Sequence, residues 1–103
     1  MILRRRPFAE LVQRQLDLFS VDEASLLEEA REAEEVWRRA GRDESEEAYG
    51  DWQLVADAIA ERLLDLRETY AATLEEPAAS AYRAELSRAT RKRFPRFTEL
   101  LDP

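Results

Sequence analysis

Neither cysteine nor histidine occurs in the 103 residues, and the two gaps remove most of the chemistry open to a small protein. Without cysteine there is no disulfide, no thiol nucleophile and no thiolate metal site. Without histidine the commonest general base is gone, together with the Ser–His and Cys–His pairs and the usual zinc, haem and non-haem iron ligands. The two glycines, Gly41 and Gly50, cannot build a glycine-rich phosphate loop. No serine or threonine sits in a nucleophile motif. No apolar run approaches the ~20 residues of a membrane span, and the start Met-Ile-Leu-Arg-Arg-Arg-Pro lacks the apolar stretch of a signal peptide. The expectations are a cytoplasmic location, no membrane contact and no enzymatic activity, with no catalytic, cofactor-binding or metal-ligating residue assigned.

What is present is apolar, charged and helical in character. Hydrophobic residues make up 45% of the chain, too many for a disordered one even at 38% charge, so the charge must lie on helix exteriors. Ala, Leu, Glu and Arg dominate, and they favour helix over strand almost everywhere. The length suits one domain with one core. The net charge of −7 hides a partition: residues 1–6 carry +3, residues 7–82 carry −13, residues 83–96 carry +5 and residues 97–103 carry −2. An acidic body with basic ends repels nucleic acid over most of its surface but not at its termini.

Periodicity places the helices. Pro7 suits a first helical position, and Phe8, Leu11, Val12, Leu16 and Phe19 form an apolar stripe over about 7–19. Ser20 and Glu23 have capping-box spacing, which predicts a second helix over about 21–40 with Leu26, Ala30, Ala33, Trp37 and Ala40 on its dry face, ended by Gly41. Asp43 and Glu46 repeat that spacing ahead of a third helix over about 43–74. There Trp52, Ala56, Ile59, Leu63, Leu66, Tyr70 and Leu74 form a dry stripe, with Asp57, Glu61, Asp65 and Glu68 about half a turn away. Gly50 is its weak point, since glycine costs about 1 kcal/mol relative to alanine inside a helix. Glu76 and Pro77 open a last helix over about 77–93, with Ala79, Tyr82, Leu86 and Ala89 inward, and Pro95 stops it. The tail 94–103 keeps Phe94, Phe97, Leu100 and Leu101 and is expected to fold back on the bundle. The fold class is therefore all-α: an antiparallel bundle of about four helices, one long and central, in a single domain.

Three groups of residues could carry chemistry. Glu28, Glu29 and Glu32 spell Glu-Glu-x-x-Glu, which resembles half of the magnesium site of the all-α nucleotide pyrophosphohydrolases, where carboxylates from two helices hold metal ions over phosphates. The resemblance covers five residues. The Glu-x-x-Asp that such families place on a neighbouring helix has no counterpart in the long helices, where Asp65-x-x-Glu68 runs in reverse. Glu28, Glu32 and Glu35 point away from the Trp37 seam, and a solvated face is the simpler reading. The basic residues Arg88, Arg91, Lys92, Arg93 and Arg96 could grip phosphates, as could Arg4, Arg5 and Arg6. At a helix C-terminus, however, positive charge is favoured by the dipole, and these cations could instead neutralise the acidic helices. Trp37, Trp52, Tyr70 and Tyr82 could line a pocket but fall on dry faces, which points to core.

Leu54 and Leu64 lie off the seam of the longest helix. Apolar residues so placed need another contact, which makes them candidates for an interface with a second copy or another protein. The sequence thus favours a protein–protein interaction module or homodimer, with nucleic-acid contact through the basic ends as the alternative and a carboxylate-dependent pyrophosphohydrolase third.

Overall fold

The third helix is unbroken from Ser45 to Ala71, 27 residues or ~40 Å, and everything else is arranged along it. The computed structural model describes residues 6–98. In chain order they form α1 (Ala9–Asp22), α2 (Ala24–Arg39), α3 (Ser45–Ala71), α4 (Ala78–Arg93) and a 3-10 turn, Pro95–Phe97. Gly50 leaves α3 intact and stands in open space, so the glycine is a local cost and not a break.

Two regions share α3. Its C-terminal half, α1 and α4 form a body, in which Val12, Leu16, Ile59, Leu63, Tyr82 and Leu86 are fully buried. Each such side chain contributes about 1.5–3 kcal/mol by leaving water. Tyr82 is the wedge: its ring meets Phe8 edge-on at 5.6 Å and Tyr70 at 4.7 Å, while its hydroxyl donates to Gln15 Oε1 at 2.8 Å. Phe19 against Phe94 closes the far end. The N-terminal half of α3 pairs with α2 to form an arm. Its buried residues are alanines: Ala30 on α2, and Ala48, Ala56 and Ala60 on α3. At its tip Trp37 stacks on Trp52 at 5.4 Å and meets Tyr49 at 4.8 Å. These aromatics are packing residues of a clasp, with Tyr49 40% exposed.

The helix starts depart from the capping patterns. Ser20 lies inside α1, where its hydroxyl donates to the Leu16 carbonyl, so it caps nothing. α1 runs on to Asp22, and a single residue, Glu23 (φ −106°, ψ 24°), separates it from α2. The Glu23 amide still reaches the Phe19 carbonyl and the Leu27 amide the Glu23 carbonyl, so backbone bonding passes through the joint. Asp43 likewise gives no cap, and α3 starts after Glu44. Pro7 sits in a turn before α1, because Phe8 takes a left-handed conformation (φ 68°) that turns its ring onto Tyr82. Gly41 takes no left-handed cap conformation, and α2 ends because Ala40 turns extended. Glu76 does serve the start of α4, accepting from the Ser80 amide at 3.2 Å and the Ser80 hydroxyl at 2.6 Å. These bonds hold its carboxyl below the usual range. As expected, the tail returns: Phe94 and Phe97 pack against the core, while Leu100 and Leu101 lie outside the described residues.

Candidate functional site

The basic residues that α4 and its flanks provide do not converge into one patch. Arg6 and Arg88 share Glu85, at 3.2 Å and 2.8 Å, and Glu85 is only 5% exposed. Arg93 donates to Asp17 at 2.6 Å and to Gln13 at 2.7 Å, clamping α4 to α1. Arg96 pairs with Glu34, tying the 3-10 turn to the arm. Arg91 and Lys92 have no ion pair among the described residues, and Arg4 and Arg5 lie outside them. Most of the described cations of the C-terminal run therefore face the protein's own carboxylates. Long-range pairs of this kind leave no mark in local sequence.

The carboxylates are similarly dispersed. Glu28 pairs with Arg31 on its own helix, which holds its carboxyl below the usual range, and Glu35 with Arg38 and Arg39. Glu68 turns toward α4: partial burial raises its pKa, but Arg67 (2.8 Å) and Arg83 (3.1 Å) outweigh this and hold it low. Among the described residues no three carboxylates come together in a way that could hold a metal ion. No described helix is long and apolar enough to cross a membrane.

The two off-seam leucines have different surroundings. Leu64 is half-buried and packs against the core. It shares a face with Arg67 and Glu68, which bond Ser87 and Arg83 of α4, so α4 covers that side. It has neighbours within the monomer. Leu54 is 72% exposed, on a face shared with Asp51, Asp57 and Glu61.

The most apolar concavity among the described residues involves neither leucine. No Cα of α1 comes within 8 Å of a Cα of α3, because α1 packs on α4 and Tyr82 holds α1 and α3 apart. Between them runs an open groove of ≈ 590 Å³, with Leu18, Phe19, Leu66 and Tyr70 as its apolar lining. Leu18 is 60% exposed. The charged groups along it are Asp22, Glu23, Asp65 and Arg62, and Arg62 is engaged by Glu23 at 2.7 Å. Asp22 and Asp65 have no ion pair among the described residues. The sequence hinted at the groove in one way only: Leu18 falls just outside the α1 stripe. Its depth follows from how far apart α1 and α3 sit, which no single helix specifies. Comparison with known protein families, with curated proteins and with solved structures gave no match.

Proposed function

We propose that this chain is a non-enzymatic protein–protein interaction module, and that the groove between α1 and α3 receives its partner, whether another protein or a second copy. The observation that carries this reading is an apolar groove left open at the centre of a monomer whose other helices are packed. The groove's lining follows α3 from Arg62 to Tyr70, as a side-on helix needs, and includes polar residues at its edges, as interfaces do. Leu54, exposed on the outer face of α3, offers a smaller auxiliary contact.

The reading is tested by placing a photocrosslinking residue in place of Leu18, in place of Leu66, or in place of Val36 on the arm as a control, and irradiating cells that express each variant. A discrete adduct from the two groove positions and none from Val36 is expected. Absence of any discrete adduct from both groove positions would overturn the assignment.

A further inference from the structure

We infer that the occupant of the α1–α3 groove is a basic amphipathic helix of about three turns from another protein, an inference that rests on the groove being a partner site. Length comes first. The lining runs along α3 from Arg62 to Tyr70, a rise of roughly 12 Å at 1.5 Å per residue, and continues to Thr73 in the turn beyond it, which suits a helix of about three turns laid along it. Such a segment presents apolar side chains at i, i+3, i+4 and i+7, and Leu18, Phe19, Leu66 and Tyr70 supply the matching apolar surface.

Charge decides the rest. Glu23 and Arg62 neutralise each other, so the two carboxylates left over, Asp22 on α1 and Asp65 on α3, flank the groove from opposite walls. Arg14, a turn before Leu18, is not among the residues lining it. At the Tyr70–Thr73 end the groove reaches the last turn of α3, which contains no basic side chain to offset these carboxylates. Lysine or arginine beside the apolar stripe of an incoming helix meets both carboxylates. A second copy of this chain does not. A two-fold interface through the groove sets Asp22 and Asp65 against the same residues of the other copy, within a protein of net charge −7.

Three synthetic amphipathic helices with one shared Leu/Phe face and a polar face of Lys/Arg, Gln or Glu test this. They are titrated into the full chain, with binding followed through amide NMR shifts at low and at raised salt. The basic peptide is expected to shift resonances of Leu18, Leu66 and Tyr70, to weaken with salt, and to lose roughly fivefold in affinity in the Asp22→Asn, Asp65→Asn double variant. Leu18→Glu, at an exposed position, should abolish binding with the fold intact. Equal or tighter binding of the neutral or acidic peptide overturns the basic occupant while leaving the groove as a partner site. No shift in the groove with any peptide also overturns it, and the photocrosslinks then judge the groove separately. Sedimentation showing a dimer that Leu18→Glu dissociates makes the second copy the occupant and overturns the inference.

Discussion

The body and the arm use the same long helix to opposite ends. In the body, Ile59 and Leu63 of α3 share a core with Leu86 and Tyr82 of α4 and with Val12 and Leu16 of α1, all fully buried, so its stability comes from large interdigitated side chains. In the arm, α3 meets α2 through Ala30, Ala48, Ala56 and Ala60. Alanines let two helices approach closely but remove little apolar surface from water, so the arm depends on its aromatic tip and on Phe97 and Arg96 of the returning tail. The body is the stable platform, and the groove opens along it. The arm is a long pairing of α2 with α3 that rests mainly on small side chains, and is expected at the low end of local stability.

Substitutions separate the two regions. Leu86→Ala opens a cavity where α4 meets the rest of the body and should cost about 2–5 kcal/mol in denaturant unfolding. A loss below about 1 kcal/mol would mean the body is not the stable part. Alkaline pH acts on the same place. Burial pushes the Tyr82 phenol up to about 12, opposed in part by the bond to Gln15. An unfolded tyrosine ionises near 10. The fold therefore keeps a proton that the unfolded chain loses: stability is intact below about pH 10 and falls by about 2 kcal/mol as pH rises toward 12. Phenolate absorbance should show one of the three tyrosines ionising only as the chain unfolds.

In the arm the effects are smaller and local. Trp37→Ala removes two of the three ring contacts at the tip, leaving Tyr49 against Trp52, and should cost about 1–2 kcal/mol. Faster hydrogen exchange should appear over residues 30–52, while the amides of α4 keep their protection. Exchange rising equally in α4 would join arm and body into one cooperative unit. Gly50→Ala should stabilise by about 0.5–1 kcal/mol, because the helix is continuous there and an added Cβ meets nothing within 4 Å. A loss of stability instead would mean that the helix is bent at that position.

Sequence reasoning succeeded where one helix decides the matter. The Trp52 to Tyr70 seam, the inward set of Ala79, Tyr82, Leu86 and Ala89, and the stop at Pro95 all follow from helical period and proline sterics, and all appear in the fold. The capping readings at Ser20 and Asp43 failed because spacing alone cannot distinguish a helix start from a helix interior, and α1 runs through Ser20 into a one-residue joint. Leu54 and Leu64 both lie off the seam, about 80° apart at 100° per residue, and the placement of α4 covers the side that Leu64 takes. The groove was out of reach for the same reason, since it lies between Leu18 on α1 and Leu66 on α3 and depends on a separation maintained by Tyr82 from a third helix.

The joint at Glu23 has a mechanical consequence. Trp37 lies 14 residues beyond it, ~21 Å along α2 at 1.5 Å per residue, so a bend of only about 10° at Glu23 would carry the indole through ~4 Å. That is most of its 5.4 Å separation from Trp52. Were α2 to pivot at Glu23, it would act as a lever, and the Trp37–Trp52 stack is the contact that such a swing would break first. Glu23 also lines the groove, so the pivot stands beside the place where we put the partner.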